Sequence, residues 1–363
     1  MLRIAIIVTA CILISSCCQN PDNQVDNNEI KVEAKVYETT ELMSVVMRLS
    51  GAKEYNLCNI NEYAAQVDSC FGAFKNHKAV KLAQKLHDKG FSYDMPMNTS
   101  LRLVVKNGHI KYNLCVRYVD YHGRLNTWQE RKIVRALDRF YRDTHFGEFF
   151  ADHTDLYTQE EKAFAQLQKD IDFRWFDSFF GQVGNLRFAI SLSLLNGPAN
   201  YASNIDWKDG TKTMNCILGC APLNESSKIS YDWFQVAPIV LHEFSHSYCN
   251  PLNDKYWDGM EKVAEAAFSK EAEFYTKGAY PNANYMMNES FVWASVLRYI
   301  ESHPMEPDVN SWDEVIEFYL KDIVENRKFT LVPSMVEALA LKEKGGYSDM
   351  DSFMPVFCSM LHE

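Results

Sequence analysis

The stretch Val236-Ala237-Pro238-Ile239-Val240-Leu241-His242-Glu243-Phe244-Ser245-His246 decides how the rest of the chain is read. Its first six residues are apolar and suit a buried helix, and the next five spell His-Glu-x-x-His. At i and i+4, two imidazoles project from one helix face about a turn apart, close enough for both to reach one zinc at roughly 2.0–2.1 Å. Glu243 is displaced about 100° around the helix. It cannot easily join the histidines, but it can reach the open coordination position as a general base. The competing explanation is a buried helix whose histidines only pack or hydrogen-bond. It is weaker, because with ten histidines in 363 residues chance matches to this pattern number on the order of 0.02.

A catalytic zinc site needs a third protein ligand. The extension HExxHxxGxxH would require glycine at position 249 and histidine at position 252, and the chain has Cys249 and Leu252. A glutamate from a downstream helix is the source in His2Glu zinc sites, and Glu261, Glu265, Glu271, Glu273 and Glu289 are the candidates for it here. Glu289 is favoured, as the lone acid between Tyr275 and Ile300, at the wet end of an apolar helix that continues through Val292, Val296, Leu297 and Ile300. Glu265 is the runner-up. Its neighbours Glu261, Lys262, Lys270, Glu271 and Glu273 mark a solvated face.

Outward from this stretch, helical spacing dominates. Leu42, Val45, Val46 and Leu49 recur at helical spacing, as do Ala79, Leu82, Ala83 and Leu86, then Ile133, Val134, Leu137 and Phe140, then Phe164, Leu167 and Ile171. Alternation at Leu186, Phe188, Ile190, Leu192 and Leu194 predicts a strand with one apolar face, and Met214, Cys216, Leu218 and Cys220 predict a shorter one. Alternating residues on both sides of Asn107-Gly108 predict a hairpin. Ser311-x-x-Glu314 and Ser334-x-x-Glu337 match the capping box, and Gly345-Gly346 is expected to end the second of those helices. His77, His87, His145 and His153 read as structural or surface residues.

Met1-Leu2-Arg3 precedes an apolar run from Ile4 to Ile14, which is too short to span a bilayer and has the pattern of a secretory signal. Ile14-Ser15-Ser16-Cys17 resembles the bacterial lipobox, which implies cleavage before Cys17 and its lipidation. The polar residues that follow read as a tether. The expected organisation is a lipoprotein signal peptide at 1–16, a polar tether at 17–39, a mainly helical region at 40–145 and the region of the chemistry at 146–363. Removing Cys11 with the signal and Cys17 by lipidation leaves eight of the ten cysteines. An oxidising compartment permits disulfides among them, but no pairing is legible. Cys216 and Cys220 lack the second ligand pair that a zinc site of their own would need.

The 48 acidic side chains outnumber 37 basic ones, for a net charge of -11, which argues against a nucleic-acid partner. Hydrophobic content of 47% supports a large core and excludes wholesale disorder. No period of 20 to 50 residues recurs, so solenoids and propellers are excluded.

With the signal, Cys17, His242-Glu243-Phe244-Ser245-His246 and the downstream Asn288-Glu289 helix in view, the chain resembles the gluzincin side of the zincin metallopeptidases. A longer pattern comprises Leu49-Ser50-Gly51, Phe140-Tyr141, Phe146-Gly147-Glu148-Phe149-Phe150 and the HEFSHSY run from His242 to Tyr248. It is similar to an uncharacterised domain-of-unknown-function family of bacterial lipoproteins. The zincin resemblance implies an α+β, predominantly helical fold: a small sheet above the HExxH helix, with one strand antiparallel along the substrate cleft, and a helical lower lobe carrying the third ligand. It also implies Zn2+ on His242, His246 and Glu289, with Glu243 as general base. The thermolysin-like pattern has an aspartate four residues after the ligand glutamate, where this chain has Trp293. The oxyanion donor is open among Tyr201, Tyr248, Tyr285 and Tyr299.

The expected function is a zinc-dependent peptidase acting on peptide or protein substrates, lipid-anchored in the bacterial envelope on the outer membrane, at its periplasmic or surface face. The alternatives are a non-catalytic substrate- or nutrient-binding lipoprotein on the same fold, or a zinc amidase acting on a non-peptide or cell-wall bond.

Overall fold

Alternating apolar residues gather into a four-stranded sheet in the computed structural model, which describes residues 32–118, 125–181, 185–278, 280–303 and 312–361. The first strand, β1 (Val32–Val36), leads into α1 (Glu38–Ser50), α2 (Asn61–Phe71), α3 (Lys78–His87) and α4 (Asp94–Ser100). The hairpin β2 (Leu103–Lys106) and β3 (His109–Tyr112) follows. Asn107 and Gly108 both adopt positive φ at its turn, 54° and 71°, the conformation that Asn-Gly favours in a two-residue turn. Next come α5 (Thr127–Asp143), α6 (Phe146–Asp152), α7 (Thr154–Gln168) and α8 (Arg174–Phe180), then the strands β4 (Leu186–Ser193), β5 (Tyr201–Asp206) and β6 (Lys212–Cys220). The remainder is helical: α9 (Trp233–Lys255), α10 (Trp257–Lys270), α11 (Ala272–Lys277), α12 (Ala283–Ser302), α13 (Trp312–Lys321), α14 (Val332–Lys344) and α15 (Met350–Met360). The architecture is α+β and predominantly helical, as expected.

The sheet runs in the order β1-β4-β6-β5, with β1 and β4 parallel, β4 and β6 parallel, and β5 antiparallel to β6. β4 is buried on both faces, not one. Phe188 packs on Phe244 of α9 at 4.9 Å, while on the other face the Ser193 hydroxyl donates to Glu41 of α1 at 2.8 Å. Ser191 donates to Asn215 of β6 at 3.1 Å, so the small polar residues of β4 meet protein partners rather than water, which strict alternation alone does not distinguish.

Two sequence expectations need correction. The tether does not extend to residue 39, because Val32 and Val36 are buried, β1 pairs with β4 and α1 begins at Glu38. Residues 1–31, with the signal segment, Cys17 and most of the tether, lie outside the described residues. Ser334 does not cap α14. The helix starts two residues earlier, with proline in its first turn, and the Ser334 hydroxyl instead donates to the Leu331 carbonyl at 3.0 Å. The other predicted cap, Ser311, lies outside the described residues, and Gly345 ends α14 as expected. At the expected division between 145 and 146 the core is continuous. Phe71 of α2 contacts Phe140, Phe146 and Phe149, at centroid separations of 6.1, 5.7 and 4.8 Å.

Candidate metal centre

α9 carries the HExxH residues and packs along α12, with β5 and β6 lying against it. The Asp232 side chain accepts from the Gln235 amide at 3.1 Å and caps its N-terminus. Pro238 has no amide to offer the Phe234 carbonyl, and the Tyr319 hydroxyl of α13 donates to that carbonyl instead. α12 starts at Asn282, whose side chain accepts from the Tyr285 amide at 3.1 Å, so the apolar helix begins earlier than Asn288-Glu289. Asn253 of α9 donates to Asn288 of α12 at 2.8 Å, which fixes the register of the two helices one residue from Glu289.

This packing brings His242, His246 and Glu289 together. The two Nε2 atoms are 3.2 Å apart, His242 Nε2 is 3.4 Å from Glu289 Oε2, and His246 Nε2 is 3.5 Å from Glu289 Oε1. Among the described residues these three form a group able to hold a metal ion. Glu265 is not part of it and lies exposed on α10.

Each of the three residues has a distinct surrounding. His246 Nδ1 meets Asn250 Oδ1 at 3.1 Å, one turn further along α9. The bond favours the tautomer with its proton on Nδ1, leaving Nε2 free to ligate. His242 Nδ1 is buried with no hydrogen-bond partner among the described residues. The ring of Trp293 packs against this imidazole at 4.6 Å, and the Arg327 guanidinium lies over the indole at 4.6 Å. Burial alone would raise the Glu289 carboxyl. The hydrogen bond with His242 and the charges of His242, His246 and Arg327 hold it below its ordinary range, so it stays ionised.

Glu243 is pushed up to about 7, chiefly by burial and secondarily by Glu289, while His246 and a backbone bond from Ala202 of β5 pull the other way. The outer edge of β5 thus faces the site. Asn204 on the same strand accepts from the Ser247 hydroxyl at 2.9 Å.

Of the four tyrosines left open by the sequence, the Tyr299 hydroxyl accepts from the Asp172 amide at 2.7 Å, and Tyr285 is exposed. The hydroxyls of Tyr248, which stacks on Phe176 and Phe180, and of Tyr201 are both buried without a hydrogen-bond partner among the described residues, and of these two Tyr201 feels the charge of Glu243. Tyr280, which sequence reasoning missed, feels both Glu289 and Glu243, and burial with those two charges raises its phenol. Asn250, Asn253 and Arg327 were also missed. The first two stand one and about two helical turns beyond His246, a spacing that could have flagged them.

The four histidines expected to be structural or surface residues have partners of their own: His77 Nδ1 caps α3, His87 meets Glu54 at 3.0 Å, His145 pairs with Glu148, and His153 lies between Gln66 and the Phe149 carbonyl. A cavity of about 980 Å³ opens elsewhere, between the β2–β3 hairpin and α5, and contains none of the site residues.

No curated protein and no solved structure matches this chain. Residues 30–356 match a family described as Domain of unknown function (DUF4932), a span that starts just before β1 and ends within α15. On that coverage, the chain belongs to the DUF4932 family.

Proposed function

We propose that this protein is a zinc-dependent peptidase with a gluzincin-type site, tethered to the bacterial envelope through Cys17. The observation that carries the reading is the donor spacing. Ligands held tetrahedrally at 2.0–2.1 Å from zinc stand about 3.3–3.4 Å apart; here the two Nε2 atoms are 3.2 Å apart, and each imidazole has one Glu289 oxygen at a similar distance, Oε2 at 3.4 Å from His242 and Oε1 at 3.5 Å from His246. Two imidazoles and one carboxylate also leave a fourth position open, the composition of a catalytic rather than a structural site.

When bound, zinc would supply Lewis-acid polarisation and make water acidic enough to attack near neutral pH. The chain's own residues do the remaining work. Glu243 takes the proton released on attack and returns it to the leaving amine. The Ala202 amide holds that carboxylate in place. Tyr280 and Tyr201 feel the charge of the site's carboxylates, which makes them the candidates for donors to the developing oxyanion. The antiparallel edge strand β5 offers backbone groups to an extended substrate. Envelope tethering is supported by the lipobox-like Ile14-Ser15-Ser16-Cys17, and no described helix is long and apolar enough to cross a membrane.

The test is metal analysis of the full-length protein together with a peptide-library screen. Near-stoichiometric zinc is expected in the wild type and should be lost in His246→Ala and Glu289→Ala. Glu243→Gln should keep zinc while hydrolysis falls by about 10²-fold or more. Wild type that stays zinc-free after metal repletion would overturn the reading, and a Gln variant that still hydrolyses would remove Glu243 as the base.

A further inference from the structure

Seven cysteines lie among the described residues, and all are free thiols in this structure. Cys216 and Cys249 are buried, the latter beside the Ser295 hydroxyl at 3.5 Å, and Cys70 is exposed. Cys58 and Cys220, both half-buried, are different because they sit on adjoining segments. Cys220 Sγ lies 3.9 Å from the carbonyl oxygen of Leu57, the residue preceding Cys58, and 3.4 Å from the Leu194 carbonyl. Cys58 Sγ is 3.5 Å from the Ile60 carbonyl. The loop after α1 is thus already held against the last residue of β6.

The backbone fixes this approach independently of the thiols. Gly197, at φ +81°, lies so close to Glu54 that an added Cβ would stand 2.1 Å from the Glu54 carbonyl oxygen. The Cys220 amide donates to the Gly197 carbonyl at 2.6 Å. Three segments, 54–58, 196–198 and 219–220, therefore converge on one corner. From that corner the chain enters β5, whose Ala202 amide holds Glu243.

We propose that Cys58 and Cys220 form a disulfide that staples the loop after α1 to the end of β6. Its formation in the cell rests on the export signal read in residues 1–16, since disulfides persist in oxidising compartments. The chemistry is a two-electron oxidation: each thiol gives up one proton, one S–S bond forms, and two electrons pass to a disulfide oxidant. Cys220 and, to a lesser degree, Arg48 lower the Cys58 thiol, which favours it as the attacking thiolate. Cys220, raised by Cys58 and by burial, closes the bridge. The bond would restrain the unfolded chain over a long loop. In the fold it would lock the corner that feeds the strand over the site.

The full-length protein, extracted in detergent, would be equilibrated in buffers of oxidised and reduced glutathione, alkylated, digested and weighed. A linked Cys58–Cys220 peptide, two hydrogens lighter than the reduced pair, is expected, with Cys70 alkylated as the control. Reductant should lower the Tm of the wild type by several degrees and leave Cys58→Ser and Cys220→Ser unchanged. Full alkylation of both thiols in the most oxidising buffer would overturn the proposal. So would glutathione on Cys58 with Cys220 still free, or a bond from either to another cysteine. Because the buffer sets the redox poise and the readout needs neither zinc nor hydrolysis, a failure here is distinct from a failure of the export or peptidase readings.

Discussion

Asn250 shows how much a single amide contributes to the candidate centre. Its Oδ1 stands 3.1 Å from His246 Nδ1, at the i+4 position of the same helix, so it sets which imidazole nitrogen faces Glu289 and His242. Asn250→Ala is expected to weaken zinc affinity by about 10- to 100-fold without unfolding the protein. Competition with a chelator of known affinity measures it, and unchanged affinity would remove Asn250 from the site. His242 has no comparable partner and is held by the face of Trp293 instead. Four residues after Glu289, Trp293 thus gives His242 packing in place of a hydrogen bond, and the Arg327 guanidinium lies over the same indole.

At the scale of elements, the corner between α1 and the sheet depends on glycine. Gly197 has positive φ and no room for a Cβ beside the Glu54 carbonyl. Gly197→Ala should destabilise the fold by about 2 kcal/mol or more, read as a lowered denaturant midpoint, and wild-type stability would show that the loop after α1 yields.

What was legible in the sequence follows the same physics. α9 and the β2–β3 hairpin were readable because their signals are local: histidines at i and i+4, and an Asn-Gly turn between alternating runs. Glu289 was readable because a lone carboxylate on an apolar helix stands out. β5 was not, because Tyr201–Asp206 is short, polar and at the sheet edge, and its identity as a strand comes from pairing with β6. β1 was hidden for a related reason: two valines in a charged pentapeptide become core only once β4 is beside them. Tyr280 and Arg327 reach the site from segments far from the HExxH run, and no periodicity records that.

At the scale of the whole molecule, the core contains two fully buried carboxyls, Glu41 on α1 and Glu160 on α7. Glu41 accepts from Ser193, the Leu194 amide and Tyr63, and Glu160 accepts from Tyr231 at 2.9 Å. Burial first, then the neighbouring charges of Glu41 and Glu161, push Glu160 up to about 8 from an ordinary 4.5, against the lowering effect of Tyr231. The folded protein therefore keeps a proton that the unfolded chain releases near pH 4.5. This contribution to stability is complete below that pH and is lost as pH rises towards 8. Glu160→Gln should flatten that decline and stabilise the protein at pH 8 by on the order of a few kcal/mol. Unfolding midpoints at pH 5, 6.5 and 8 would show it, and parallel profiles for wild type and variant would refute it. Acids placed by contacts this distant in sequence cannot be recognised as buried from the sequence alone.

The pairing of β1 with β4 also has a kinetic side. Val32 lies beside Phe188, and β4 in turn waits for β6, beginning at Lys212. The first strand of the sheet has no partner until more than half of the chain has been made. Closing so long a loop carries an entropic cost that local helices do not bear. The helices from α1 to α8 can nucleate early, but the sheet that supports α9 assembles late, and the geometry of the candidate centre is among the last features the chain acquires.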